Sequence, residues 1–270
     1  MRSNPERAVA PKISIVMAAY NEEHHIARAL DSLVAQTFID WESIVVDDGS
    51  TDATADIIRR YADKDSRIIL VRNEANLQLS ESLNKAIGLA RADIVARADA
   101  DDVNLPERLA KQYRYLQAHQ EVDVLGTGAY LLDQTGARVN TFCHPQTHAE
   151  LRSLSFLKIQ FFHPSVMMRR RFFDTAGLYD PRYPNAEDKE MWLRGLAAGC
   201  SYANLSEPLI EYSTDGFVKS WSSILRHGLS LFRIVRDRKI KNGYIQAFIL
   251  FSYTAAIKLK IRRPKSLRTN

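Results

Sequence analysis

The sequence predicts an α/β protein: a mostly parallel, doubly wound sheet flanked by helices, followed by a helical C-terminal extension. Two observations carry this reading. Short apolar runs alternate with amphipathic stretches four times within about the first 120 residues, the signature of β-α units joined by right-handed crossovers. Three polar loops rich in acids also follow apolar runs directly, and such sheets hold ligands beyond the carboxyl ends of their strands.

The elements follow in order. Ile13 to Met17 is a continuous apolar run suited to a strand buried on both faces. It ends at Ala18-Ala-Tyr-Asn21, and Glu22-Glu23 open a helix to about Gln36, with Ile26, Leu30, Leu33 and Val34 on one face. Glu42 to Asp47 forms a second strand, after which Ser50 or Thr51 is placed to cap a helix through Tyr61. A strand over Arg67 to Val71 and a helix over Ser80 to Ala90 come next. Asp93 to Ala98 then runs into Asp99-Ala-Asp-Asp102, and Pro106 suits the first turn of another helix.

The second half reads as mixed strands and helices completing one wall of a cleft. Val122 to Leu132 is a strand loosened by Gly126 and Gly128 and closed by a turn at Asp133 to Gly136. Phe161 to Met168 is a strand entered through a proline, and Ala186 to Gly199 a helix. From about Lys219 the pattern is helical only, with Trp221 to Arg236 amphipathic. Tyr244 to Ile257 is apolar but about 14 residues long, short of the ~20 needed to span a bilayer. It leads into Lys258, Lys260, Arg262, Arg263, Lys265 and Arg268. This end fits an interfacial anchor on anionic lipid, or a helix packed on the core or on a second copy of the chain.

Composition narrows the class. With 46% hydrophobic and 26% charged residues, the chain is neither disordered nor a polytopic membrane protein. The net charge of +5 is concentrated in the tail, and no aromatic platform for bases accompanies it, so a nucleic-acid partner is not expected. Cys143 and Cys200 are read as reduced thiols, and Met1 to Ala10 lacks the apolar core of a signal peptide. A cytoplasmic protein, peripheral on the inner face of the membrane if the anchor reading holds, is the expectation.

Chemistry is concentrated in a few positions. Asp99, Asp101 and Asp102 crowd three carboxylates into four residues, which is costly unless a cation compensates; oxygen-only ligands suit Mg²⁺ or Mn²⁺ with a diphosphate as further ligand. The bland alternative is a solvated turn. Arg97 is placed to pair with these acids or with phosphate. Asp47 and Asp48 close the second strand, and one carboxylate there can accept a hydrogen bond from a base N–H while Tyr20 offers a ring for stacking, or Asp48-Gly49 is only a turn. Glu187-Asp188 open a helix, where an ionised carboxylate is favoured and can serve as general base or merely as a cap. His163 is either a metal or phosphate ligand or a hydrogen-bonded structural histidine. The remaining histidines have no metal-ligand spacing, so zinc is not expected.

Taken together, Ala19-Tyr-Asn-Glu22, Val46-Asp-Asp-Gly-Ser-Thr-Asp52, Arg97-Ala-Asp-Ala-Asp-Asp102, His163-Pro-Ser165 and Glu187-Asp188 followed by Trp192 resemble the family 2 inverting glycosyltransferases of GT-A fold, in that family's order. The resemblance spans about Ile13 to Gly199 and implies a Mn²⁺- or Mg²⁺-dependent transfer from a nucleotide sugar to a glycan or lipid-linked acceptor; the Asp48 contact suits uracil, which makes UDP the default nucleotide, with dTDP and GDP as alternatives. It implies a base-binding Asp48 with Tyr20, Ala18 and Glu22 beside it, and DXD-type acids at Asp101 and Asp102 for the ribose and metal, with Asp102 the direct metal ligand and Asp99, in the same motif, a contact of the nucleotide or donor sugar. Asn76, Asn84 and Arg97 fall on the donor side, Asp188 is the base, and Glu187 and Trp192 shape the acceptor side. It further implies a catalytic domain over 1–215, divided into a nucleotide half (11–103) and an acceptor half (104–215), with 216–270 as the extension. One departure is Asn76-Leu-Gln78, where many relatives carry glycine after the asparagine. A sugar-phosphate nucleotidyltransferase would instead carry a glycine-rich loop after the first strand, and Ala18 to Glu22 has none. A non-catalytic nucleotide-sugar binder would have no need of Asp188.

Overall fold

The computed structural model describes residues 10–153, 160–213, 221–240, 243–245, 247–249 and 251–252. The basic tail from Lys258, and half of the apolar stretch from Tyr244 to Ile257, lie outside the described residues.

The first half is built as its periodicity requires. Strand β1 (Ile13–Ala19) lies between β2 (Trp41–Asp47) and β4 (Ile94–Arg97), and β3 (Ile68–Arg72) flanks β2, all parallel. Helices α1 (Ile26–Val34), α2 (Thr54–Ala62) and α3 (Leu79–Leu89) make the crossovers. Side chains alternate across the sheet. Ile13, Ile15, Met17, Val45 and Ala96 face α1 and its Ile26, Leu30 and Leu33, whereas Val16, Ile44, Val46 and Val95 face α3 and its Leu83, Ala86 and Ile87. Each such aliphatic side chain contributes roughly 1.5–3 kcal/mol by leaving water. The strand order 3-2-1-4 reverses direction at β1, so the C-terminal ends of β1 and β4 open a crevice at the switch point.

The second half extends the same sheet with mixed pairings. After the two-residue β5 (Val103–Asn104) and α4 (Arg108–Ala118), strand β6 (Val124–Leu132) forms a hairpin with β7 (Arg138–Phe142). Helix α5 (His148–Ser153) follows, and β8 (Met167–Arg169) joins β4 to β6 by antiparallel pairing on both sides. Helices α6 (Arg170–Ala176) and α7 (Glu187–Ala197) precede β9 (Tyr202–Ser213), which runs parallel to β6 and antiparallel to β5. Helix α8 (Trp221–Asp237) docks on the main body: Leu231, Ile234 and Val235 pack with Tyr183 and Ala186, and the Tyr183 hydroxyl donates to Asp237 at 2.7 Å. Both cysteines are free, Cys200 buried and Cys143 exposed. Among the described residues no helix is long and apolar enough to cross a membrane.

Three local readings are corrected. Ser50 and Thr51 do not cap α2. The Ser50 hydroxyl accepts from the Asn21 backbone N–H and the Thr51 N–H donates to the Asn21 side chain, while Asp52 takes the Thr54 N–H at the helix start. Pro106 lies in the turn before α4, ahead of the N-cap Glu107. The stretch around Pro164 is a single 3₁₀ turn, His163–Ser165, because the imide cannot donate to a ladder; the strand is only Met167–Arg169.

Candidate active site

The loops after β1, β2 and β4 meet at the switch point. Asn21 adopts φ 55° and is tied to Ser50 and Thr51, while the backbone N–H groups of Glu22 and Glu23 donate to Thr54 and Asp52. This lacing holds Ala18, Tyr20 and Glu22 along one side of a cavity of about 310 Å³. Asp48, Asn76, Gln78 and Leu79 line it from the neighbouring loop, and Arg97, Asp99 and Asp101 close the far end. Asp48 is buried, and its Oδ1 accepts from Asn73 Nδ2 and from the Leu77 backbone N–H, both at 2.8 Å. Tyr20 remains 44% exposed, its ring available for stacking.

The acids after β4 form the electrostatic centre. One carboxylate oxygen from each of Asp99, Asp101 and Asp102 lies within 4.8 Å of the others. Asp102 is 2% exposed; its Oδ1 accepts from the Ser213 backbone N–H at 2.8 Å, and its Oδ2 accepts no hydrogen bond among the described residues. The β5–β9 pairing produces this contact, since Val103 opposite Glu211 carries Asp102 to the end of β9. Burial, then the charges of Asp99 and Asp101, raise the Asp102 pKa well above the usual carboxylate range. Burial, Asp99 and Glu22 push Asp101 up to about 6. An oxygen-only donor set with one buried, unpartnered carboxylate oxygen fits a hard divalent cation.

Arg97 is fully enclosed. It pairs with Asp99, while its Nε and Nη1 have no partner among the described residues. Burial would lower its pKa, but Asp99 overrides that and raises it, so the guanidinium stays charged. Behind it, Arg108 donates to the Arg97 carbonyl at 2.7 Å; burial and the charge of Arg97 lower the Arg108 pKa to about 9.

A second cavity, about 370 Å³, adjoins the first and shares Leu79, Arg97, Asp99 and Asp101 with it. Its other side carries Glu187, Asp188, Lys189, Asn185, His163, Tyr212, Ser213 and His227. Asp188 sits in the first turn of α7, with Oδ1 accepting the Lys189 backbone N–H at 2.7 Å. Burial lowers the Lys189 pKa to about 8. A larger groove of about 940 Å³ lies elsewhere, between α4 and the start of β9; it holds none of these acids, and its Lys111 is already paired with Glu207 and Glu107.

Of the residues singled out from sequence, Ala18, Tyr20, Glu22, Asp48, Asn76, Arg97, Asp99 and Asp101 come together in the first cavity, and Glu187 and Asp188 in the second. Asp102 lies beneath both as part of the acid cluster. Two more of the residues line neither cavity. Trp192 is 0% exposed and packs among Phe161, Phe172 and Tyr202, with the ring of the wall residue His163 6.1 Å away, because the inner face of α7 buries its largest apolar side chain. Asn84 has both ends of its amide used by the Tyr179 backbone, at 2.8 and 3.0 Å. The Tyr179 hydroxyl in turn bonds His163 Nε2 at 2.7 Å, and burial and nearby Arg97 push the His163 pKa down, leaving a neutral ring. His163 is thus a hydrogen-bonded wall residue, outside the carboxylate group. Sequence reasoning marked Gln78 only as a departure from the family pattern, and missed Leu79, Lys189, Tyr212 and Ser213. Lys189 had a signal in its adjacency to Asp188, whereas the β9 pair becomes visible only once the strand order is known.

Comparison with known proteins now bears on this geometry. The model of Glycosyl transferase family 2 matches residues 14–177. A putative glycosyltransferase, EpsE of Bacillus subtilis, is 35% identical over 236 residues, covering 85% of this chain and 84% of its own. The O-antigen biosynthesis glycosyltransferase WbnJ of Escherichia coli is 32% identical over 203 residues, covering 74% and 78%. Among solved structures, S. aureus TarS 1–349 in complex with UDP-GlcNAc superposes with a TM-score of 0.63 at 18% identity, over 92% of this chain and 88% of that one. The chain covers only 46% of the longer S. aureus TarS structure. The mannosyltransferase PcManGT of Pyrobaculum calidifontis, in complex with GDP-Man and Mn²⁺, gives a TM-score of 0.62 at 20% identity, over 94% and 75%. These superpositions make the fold GT-A, and the sequence matches make this chain a member of glycosyltransferase family 2.

Proposed function

We propose that the chain transfers a sugar, with inversion at the anomeric carbon, from a UDP-sugar to an acceptor hydroxyl. The observation that carries this is the arrangement of the two cavities. A buried carboxylate, Asp48, stands at one end and a partly exposed carboxylate, Asp188, at the other, with Arg97, Asp99 and Asp101 on their common wall. In this reading Tyr20 stacks on the base while Asp48 accepts its N–H. Arg97, charged and short of partners, faces the leaving diphosphate. Asp102, Asp101 and Asp99 would hold Mn²⁺ or Mg²⁺, which when bound offsets charge on that diphosphate. Asp188 takes the proton of the acceptor hydroxyl as its oxygen attacks from the side opposite the nucleotide. A single displacement from that side inverts configuration and needs no covalent nucleophile. General-base assistance of this kind is worth roughly 10²–10⁴-fold in rate.

Residues 11–103 then serve the donor, 104–215 the acceptor, and 216–270 form the extension. The names of EpsE's and WbnJ's companions, which include an amylovoran biosynthesis glycosyltransferase of Erwinia amylovora, support a surface-polysaccharide or lipid-linked acceptor. Exposed Leu225 and Leu229 on α8, with Tyr244, Ile245, Phe248 and Ile249 beyond it, support a peripheral contact with an anionic membrane face.

The test is a nucleotide-release assay over a panel of nucleotide sugars, with Mn²⁺, Mg²⁺ or EDTA. Release from a UDP-sugar that EDTA abolishes, and that Asp188→Asn lowers by at least about 100-fold while UDP still binds, is the expected outcome. Undiminished transfer by Asp188→Asn removes it as the base.

A further inference from the structure

Gln78 holds a backbone conformation, φ 74° and ψ 163°, that side chains enter at a cost and glycine enters freely. Gly177, which ends α6, has nearly the same angles, 82° and 172°, and is glycine. The other non-glycine residues with positive φ among those described are Asn21, Asn185 and Lys239, at 55°, 63° and 50°, and asparagine tolerates that region. Gln78 therefore bears a strain that its side-chain type does nothing to relieve. Its side chain is exposed, so core packing is not the return.

What surrounds it points to the cavity. Asn76 Oδ1 accepts from both the Gln78 backbone N–H, at 3.0 Å, and its side-chain Nε2, at 2.7 Å. Between them, the Leu77 N–H donates to Asp48 Oδ1. One three-residue loop thus holds the carboxylate assigned to the base and positions a carboxamide beside it, on the lining of the same 310 Å³ cavity. A primary amide offers both donors and acceptors, the chemistry of a base edge.

We propose that Gln78 determines nucleotide specificity: its carboxamide reads the pyrimidine edge next to Asp48, and its bulk denies a purine the space that glycine would leave. The proposal rests on the UDP-sugar reading above. It is tested by calorimetric titration of UDP and of GDP, each with Mn²⁺, into the wild-type chain, Gln78→Ala and Gln78→Gly. Wild type binds UDP at least about tenfold tighter than GDP. Gln78→Ala, which keeps the strain but loses the amide, binds UDP about 3- to 10-fold more weakly and GDP no more weakly. Gln78→Gly loses the same UDP affinity, gains GDP affinity, and melts about 2–4 °C higher because the strain is gone. A purely structural role would move the melting temperature and leave the UDP-to-GDP ratio alone; an unchanged ratio in both variants overturns the proposal. Wild type that binds UDP and GDP equally overturns it too. If wild type binds neither, the donor reading itself falls and this one with it.

Discussion

Asp102 occupies a place where a carboxylate is expensive, 2% exposed and beside two other acids, with one oxygen left without a partner among the described residues. Proton or cation must answer for that charge. Asp101 and Asp102 have raised pKa values in the folded chain, so the fold binds protons that the unfolded chain has released. The Asp101 contribution to stability is full below about pH 4 and is lost as pH climbs through about 6; that of Asp102 has the same sign. A cation must displace those protons to bind. The rise in melting temperature produced by Mn²⁺ with UDP is therefore expected to be several degrees at pH 7 and to shrink towards zero at pH 5, and Asp102→Asn should remove most of it. Equal Mn²⁺ shifts at both pH values would show that the ion does not bind these acids. The acids themselves were legible in the sequence because three carboxylates in four residues have few bland explanations. Their partners were not. Ser213 lies 111 residues from Asp102, and Tyr179 lies 95 from Asn84, so no local pattern announces either contact. That Trp192 is buried was not legible either, because spacing within α7 does not say which face of the helix the core will claim.

At the scale of elements, the parallel half was readable and the mixed half only in outline. Continuous apolar strands alternating with amphipathic helices leave little freedom in topology, and β1 to β4 follow. The short β5 and β8 carry too few residues for a period to appear, yet they join the two halves. Within the first half, the turn between β2 and α2 packs closely on the loop before α3. Gly49 has φ 75°, and a Cβ built there would stand 2.8 Å from the Ala75 backbone carbon. Gly49→Ala is expected to cost about 1–3 kcal/mol, through positive φ and through displacement of the loop that holds Asp48. Chemical denaturation would measure it, with UDP affinity falling in parallel. A variant as stable as wild type would mean that the 75–78 loop yields freely.

Over the whole molecule, α8 is anchored by one face and, among the described residues, bare on the other. Ser230 donates to the Pro184 carbonyl and Leu231, Ile234 and Val235 are buried, whereas Leu225 and Leu229 are 54% and 68% exposed among exposed Arg226, Arg233 and Arg236. If that bare face meets lipid, Leu229→Asp combined with Phe248→Asp should lower binding to vesicles containing phosphatidylglycerol by about tenfold or more, with nucleotide binding unchanged. Unaltered sedimentation with those vesicles would assign the face elsewhere. The common wall of the two cavities has a consequence of another kind. Leu79, Arg97, Asp99 and Asp101 line both chambers, so under the proposed division between donor and acceptor selection weighs any substitution there twice. Asn185, Lys189, Tyr212 and His227 belong to one chamber alone. Under that same proposal, descendants of such a chain are free to take up new acceptors by drift at those positions while inheriting an unaltered way of spending the donor.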